Sequence, residues 1–289
     1  MFSESAPAKI NLALHVTGRR PDRYHDLESL VAFADLCDEL EAVEGPIDVL
    51  KITGPFATGL GVGETNLVMR AVAAFRSRWP DQVRTGLSLT LRKNLPIAAG
   101  LGGGSADAAA ALRLLAGLGV SPIPESELYP LAAALGADVP MCLLSRPSLV
   151  EGIGDVIIPL DDFPPCHVVL VNPLVPVVTA DVFRRLLSHD NPKLPPLPDP
   201  LTRPSQLGLW LDGTRNDLEP PAIDLVPAIG ELIGRVAATQ GCILARMSGS
   251  GATVFGLFGS SAQAHQAAHD LRAVFPGYWV AAAPIISAG

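Results

Sequence analysis

Alternating apolar and polar positions mark the first ordered segment. Ile10, Leu12, Leu14 and Val16 alternate with Asn11, Ala13 and His15, a period of two that predicts a strand with its aliphatic set on one face. Lys9 and Asn11 share the opposite face. A charged loop without periodicity follows, Gly18-Arg19-Arg20-Pro21-Asp22-Arg23, and Tyr24-His25-Asp26-Leu27 leads into the apolar residues 30–33. Residues 47–52 predict a strand closed by Gly54-Pro55. Residues 66–79 place Leu67, Ala71, Ala74, Phe75 and Arg78 in helical register ahead of Pro80. Leu87, Leu89 and Leu91 alternate with Ser88, Thr90 and Arg92, which predicts a strand with one polar face.

The next segment, Asn94-Leu95-Pro96-Ile97-Ala98-Ala99-Gly100-Leu101-Gly102-Gly103-Gly104-Ser105-Ala106, passes without a break into an Ala/Leu-rich helix over 107–118. A helix over 128–135 stops at Gly136. Pro140 biases Val139 toward an extended backbone, which sets Asp138 at a helix-to-strand junction. Residues 167–171 form a continuous apolar strand, and the domain boundary falls just before it, near Leu160. Prolines at 192, 195, 196, 198, 200 and 204 make 191–204 a stiff, exposed connection. A helix over 222–239, a strand over 252–258 and a helix over 262–275 complete the pattern, and the chain carries no internal repeat.

A length of 289 residues suits two cores, and 48% apolar against 17% charged residues excludes a disordered chain. The net charge of −8 argues against a protein held by nucleic-acid phosphates or anionic lipid, while leaving room for a local anion site. The apolar runs are interrupted well short of a bilayer span. Met1-Phe2-Ser3-Glu4-Ser5 lacks the basic and apolar regions of a signal peptide. Cys37, Cys142, Cys166 and Cys242 are widely spaced and read as buried free thiols in a reducing compartment, hence the cytoplasm. His265 and His269 are spaced as a helical metal pair, but Gln266 stands where the zinc-protease pattern has glutamate, so a surface helix is the better reading. Oligomeric state is not legible.

Candidate chemistry centres on the glycine run. Four glycines in a run of five leave a backbone nearly free of Cβ atoms, able to turn N–H groups inward around an anion. At a helix N-terminus the unpaired amides and the helix dipole add to this, and phosphate is the natural guest. The loop is not a Walker A motif, since no lysine lies between Asn94 and Ala111. It matches the dinucleotide fingerprint loosely, with Ser105 in the third glycine position and no acidic residue in the expected context about 20 positions on.

Residues 96–106 resemble the phosphate loop of the GHMP kinase superfamily. Ala6-Pro7-Ala8-Lys9-Ile10-Asn11-Leu12 with Tyr24-His25, Leu135-Gly136-Ala137-Asp138-Val139-Pro140, and Arg246-Met247-Ser248-Gly249-Ser250-Gly251-Ala252 resemble the 4-diphosphocytidyl-2-C-methyl-D-erythritol kinase family within it. Asn216-Asp217-Leu218-Glu219-Pro220 and Glu151-Gly152-Ile153-Gly154 fit the same family. The resemblance implies an α+β GHMP kinase fold: a ribosomal protein S5 domain 2-like N-terminal domain, 1–160, and a ferredoxin-like C-terminal domain, 161–289, with the ligands between them. It implies ATP-dependent phosphorylation of the 2-hydroxyl of 4-diphosphocytidyl-methylerythritol in the non-mevalonate isoprenoid pathway. The partners are then ATP, with Mg²⁺, and a small cytidine diphosphate substrate, with no nucleic acid or membrane.

By the same resemblance Asp138 is the catalytic base and Lys9 the active-site lysine, the two meeting across the anion cradle. ATP is bound by Pro96, Ile97, Ala98, Ala99, Gly100, Leu101, Gly102, Gly103, Gly104, Ser105 and Ala106. Asn11 bonds substrate, and Tyr24, His25 and Phe183 stack on and read the cytosine. Ser105 reaches a phosphate oxygen or Mg²⁺, or else caps the helix. Gly249-Ser250-Gly251 resembles the family's second glycine loop. The chain departs from the family's Gly-Tyr-His by carrying Arg23 before Tyr24. A homoserine- or mevalonate-type kinase, a non-catalytic nucleotide sensor and, more distantly, a dinucleotide oxidoreductase are the rival readings.

Overall fold

The computed structural model describes residues 2–22 and 24–287. It is an α+β chain of two compact units that interleave along the sequence. The first comprises Met1–Ala8, Leu36–Ile97 and Gly102–Ser145, and the second Lys9–Asp35, Ala98–Leu101 and Arg146–Gly289. Two long strands, β1 (Phe2–Arg19) and β2 (His25–Gly45), contribute residues to both units.

In the first unit β3 (Val49–Thr53) lies parallel to β4 (Gly86–Arg92), and β4 runs antiparallel to residues 39–45 of β2. The crossover between the parallel strands is α1 (Leu67–Arg78), whose N-cap Asn66 accepts a 2.9 Å bond from Val68 N–H. Leu87, Leu89 and Leu91 are buried while Ser88 and Thr90 are half-exposed, as the alternation predicts. Three further helices follow: α2 (Gly103–Leu118), α3 (Glu125–Leu135) and α4 (Val139–Leu144). The seven residues 106–112 of α2 are all buried, which small alanine side chains permit on every face of a helix.

The region after Asp138 departs from expectation. Val139 begins a helix rather than an extended segment, because proline is well accommodated in a helix's first turn, where its missing N–H has no partner to lose. Asp138 therefore stands at the N-cap of α4, between two helices.

In the second unit residues 27–31 of β2 pair with β5 (Ser148–Gly152), and β5 pairs with β6 (Val156–Pro159). A separate sheet holds β7 (His167–Asn172), β8 (Cys242–Met247), β9 (Val254–Phe258) and β10 (Trp279–Pro284), all antiparallel, in the order β10-β7-β9-β8. Counted along the chain that order is 4-1-3-2, the ferredoxin-like arrangement expected. Val169, Val171, Val254 and Phe258 of the sheet share one core with helices α8 (Ala228–Ala237) and α9 (Ser261–Val274), through Ile229, Leu232, Val236, Ala264, Ala268 and Leu271. The helix expected over 222–239 is two helices, α7 (Glu219–Leu225) and α8, since Pro227 interrupts the ladder between them.

The proline-rich segment is irregular, yet it is tied down rather than merely exposed. Pro192 O is bonded by His15 Nδ1 at 2.8 Å and by Arg215 at 2.8 Å. Trp210 Nε1, from helix α6 (Pro204–Asp212), donates to Pro195 O and Pro196 O, and Leu194 N–H donates to Glu28. A short helix α5 (Thr179–Arg184) precedes the segment. His265 and His269 are exposed on α9, in keeping with the surface reading. Cys142 and Cys166 are buried, and Cys37 and Cys242 are half-buried. Among the described residues no helix is long and apolar enough to cross a membrane.

Candidate active site

The polar face of β1 is not solvated. Every residue from Ala6 to Val16 is buried, so Lys9, Asn11 and His15 carry their polar atoms into the interior. Lys9 is therefore not a solvated strand-edge charge. Lys9 Nζ donates to Asn11 Oδ1 at 2.8 Å, and Asn11 Nδ2 donates to Ser29 Oγ at 2.8 Å. Ser29 Oγ in turn donates to Ala13 O at 2.6 Å, so the amide of Asn11 is oriented with its oxygen toward the lysine.

Asn11 also opens the glycine site. Its backbone N–H donates to Ser248 Oγ at 3.1 Å, and Ser248 Oγ donates to Gly100 O at 2.9 Å. Thr253 N–H bonds Ala99 O at 3.2 Å, and Lys9 N–H bonds Leu101 O at 2.9 Å. The segment 98–101 is thus laced to β1 on one side and to the second glycine loop, 248–251, on the other. The approach is close: a Cβ on Gly100 would stand 2.3 Å from Ser248 O. Asn216 supports the second loop from behind, its Nδ2 donating to Met247 O at 2.9 Å and Gly249 O at 2.8 Å.

The backbone is left-handed at alternate positions, Ala98 (φ 50°), Gly100 (φ 75°) and Gly102 (φ 64°). Alternation of this kind curls a chain so that successive N–H groups converge on one side. Ala98 has a Cβ and pays for the conformation, a strain typical of ligand-clamping loops. Helix α2 begins at Gly103 with Gly102 as its N-cap, and its ladder starts with Ala106 N–H to Gly102 O at 2.9 Å. The amides of residues 103–105 precede that bond and point out of the helix end. Ser105 therefore lies inside the first turn instead of capping it, because the helix starts two residues ahead of the serine.

Behind that helix start, Lys93 Nζ donates to both Asp38 Oδ2 and Asp107 Oδ2, the latter at 2.7 Å. Asp38 Oδ1 accepts the backbone N–H groups of Asn94 at 2.6 Å and Leu95 at 2.9 Å, which fixes the entry to the loop. Burial pushes the Asp107 carboxyl up to about 7, helped by the neighbouring Asp38 and opposed by Lys93. Burial works against the charge of Lys93, but the two carboxylates outweigh it and hold its value above the ordinary lysine range. The sequence carried one sign of this cluster, a lone aspartate in an alanine helix.

A second constellation, in the second unit, gathers rings. His25 lies nearly parallel to Phe183, with centroids 4.9 Å apart and planes 25° apart. His189, which no sequence pattern marked, bonds His25, Nδ1 to Nε2 at 3.0 Å, with the two ring planes 30° apart and their centroids 4.9 Å apart. The structure so brings together two of the three residues expected to read a base. Tyr24 is 60% exposed and, among the described residues, joins no ring contact. Its backbone closes the preceding turn, Arg20 N–H to Tyr24 O at 2.8 Å, while Arg23 lies outside the described residues.

Lys9, Asn11, His25 and Phe183 belong to the second unit, and Asp138, half-buried, to the first. Among the described residues no group of three or more His, Cys, Asp or Glu side chains is placed to hold a metal ion.

The GHMP kinases N terminal domain family matches residues 66–146, and the GHMP kinases C terminal family matches 202–277. A 4-diphosphocytidyl-2-C-methyl-D-erythritol kinase from Cereibacter sphaeroides is 48% identical over 97% of this chain and 98% of its own. The chain belongs to the 4-diphosphocytidyl-2-C-methyl-D-erythritol kinase family of GHMP kinases. A crystal structure of a 4-(cytidine 5'-diphospho)-2C-methyl-D-erythritol kinase, 35% identical, superposes with a TM-score of 0.79 over 98% of each chain. A homoserine kinase from Cytophaga hutchinsonii, at 18% identity and a TM-score of 0.70 over 99% of this chain, shares the fold alone. The expected kinase and the expected fold are borne out by these likenesses.

Proposed function

We propose that the chain transfers the γ-phosphoryl group of ATP to the 2-hydroxyl of 4-diphosphocytidyl-2-C-methyl-D-erythritol, releasing ADP and the 2-phosphate, within isoprenoid biosynthesis in the cytoplasm. One observation carries the reading in a chain of this family: the left-handed loop at 98–102 delivers its backbone to the open amides of α2. Residues 96–106 wrap the triphosphate through those N–H groups, with the Ser105 hydroxyl among them. The two family matches fall on either side of residue 160, which supports an N-terminal and a C-terminal domain, while residues 9–35, 98–101 and 146–160 cluster with the second compact unit.

Asp138 takes the proton of the attacking hydroxyl as the new O–P bond forms and the β,γ-bridge P–O bond breaks toward ADP. Lys9, whose ammonium is directed by Asn11 in a buried setting, steadies the charge that grows on the transferred group. Asn11 bonds the substrate, and Tyr24, His25 and Phe183 hold the cytosine. Mg²⁺ suits this donor set as a companion of the phosphates, since it keeps several waters and needs only one or two protein oxygens, here Ser105. It neutralises phosphate charge when bound.

A coupled ADP-release assay with the cytidine substrate and Mg·ATP tests the reading. Wild-type protein turns over, and Asp138→Asn loses about 10³-fold in kcat while keeping its nucleotide affinity. Turnover of another alcohol in place of the cytidine substrate points to a sister kinase. No turnover of any alcohol, with nucleotide still bound, points to a sensor.

A further inference from the structure

We propose that His189 sets the tautomer of His25 and thereby selects a cytosine over a uracil base. The proposal rests on the substrate reading above and assigns a positioning residue to it.

His25 Nε2 and His189 Nδ1 lie 3.0 Å apart, a distance that requires one proton between them. In a neutral pair two arrangements are open. Either His25 Nε2–H donates and its Nδ1 is bare, or His189 Nδ1–H donates and the proton of His25 sits on Nδ1. Burial first, then the positive character of His189 and Arg19, lowers the value of His25, which keeps its ring neutral at neutral pH.

His15, in the same unit, shows what full specification looks like. Its Nδ1 faces a carbonyl, Pro192 O at 2.8 Å, and its Nε2 accepts Arg215 N–H at 3.1 Å, so a single tautomer fits. His25 has one ring nitrogen engaged. Phe183 covers a face of the ring, His189 takes the Nε2 edge, and among the described residues Nδ1 has no hydrogen-bond partner. The Nδ1 edge is left for a ligand.

An acceptor at Nδ1 pairs with the 4-amino group of cytosine, whereas a donor there pairs with the O4 carbonyl of uracil. The proton between the two histidines therefore decides the base. A free imidazole prefers its proton on Nε2, and the arrangement in which His25 donates is the one in which both rings keep that preference. His189 then accepts at Nδ1, places its own proton on Nε2, and leaves His25 bare at Nδ1. A neighbouring group that fixes a histidine tautomer is the same device that orients metal-binding histidines.

The test uses the full-length chain with ¹⁵N-labelled histidine, and CMP and UMP as probes. In wild-type protein the His25 ring is expected to show a protonated Nε2 and a bare Nδ1, with CMP bound in preference to UMP. His189→Leu, checked for an unchanged melting profile, lowers that preference about tenfold and raises KM for the cytidine substrate by a similar factor while kcat holds. His189→Asn, which returns an oxygen near the position of Nδ1, restores both to within about threefold. A proton on Nδ1 of His25, an unchanged CMP:UMP ratio in His189→Leu, or no recovery in His189→Asn overturns the proposal while the kinase reading stands. A wild-type chain that turns over no cytidine substrate overturns the substrate reading, and the base selection with it.

Discussion

The glycine crossing at 98–101 and 248–251 and the histidine corner at 25, 183 and 189 solve recognition in opposite ways. The crossing is mostly backbone, pinned by the Ser248 hydroxyl and the Asn216 amide. Its carbonyls and amides are bonded to one another and to β1, and it leaves no space for a Cβ at Gly100. The corner is made of side chains, with a ring nitrogen to spare. A triphosphate is the same in every substrate of a kinase, so a rigid cradle of main-chain N–H groups suffices for it. A base must be told from its relatives, which takes side chains whose donor and acceptor roles can be set.

The largest effect expected from that contrast is at Gly100. Gly100→Ala forces a Cβ to 2.3 Å from Ser248 O at a left-handed residue, and overpacking plus backbone strain costs about 3 kcal/mol together with ATP affinity. Thermal melts and nucleotide titration read both. Gly104→Ala is the control: its Cβ would meet only Leu67 Cδ1 at 3.6 Å, in a helical turn, so stability holds or rises by up to about 1 kcal/mol. Equal damage from the two substitutions breaks the idea that close approach, rather than glycine content, defines the crossing.

The corner should fail differently. Phe183→Ala removes the face of His25 and raises KM for the cytidine substrate roughly tenfold, with a loss of stability of about 1 kcal/mol. Steady-state kinetics beside a denaturation curve separate the two. A stability loss as large as that of Gly100→Ala makes Phe183 a core residue.

The smallest effect is one of pH. Burial lowers the value of His15, whose two ring nitrogens are both bonded in the neutral form. Above the ordinary value of about 6.5 neither folded nor unfolded chain holds the extra proton. As the pH falls below it, the unfolded chain takes up a proton that the folded chain resists, so stability declines toward acid. The slope is at most about 1.4 kcal/mol per pH unit. His15→Gln flattens it in urea titrations at pH 7 and pH 5, and an unaltered slope in that variant rules out His15 as its source.

Local patterns carried much of the fold. The leucine alternation of β4, the register of α1 and the four-glycine run are each written in consecutive residues, and the structure keeps them as read. The departures come from context. Pro140 suits the start of a helix as well as the end of one, and Pro227 divides what apolar spacing alone joins. The polar face of β1 looks like any strand edge until both faces are seen to be covered.

At the candidate site the chemistry-bearing residue types were legible, and their supports were not. Asn216 under the second glycine loop, the Asp38–Lys93–Asp107 cluster behind α2 and His189 beside His25 act through partners 14 to 164 positions away.

The sequence by itself determined where the chain turns its backbone to an anion, because glycine's freedom and a helix's open amides are local properties of consecutive residues. Only the tertiary structure decided that Lys9 and Asn11 are buried and that the left-handed turn at Ala98 is held in place. It alone decided which nitrogen of His25 is taken and which remains. Burial and hydrogen-bond partnership are relations between distant segments, and a linear chain states neither until it folds.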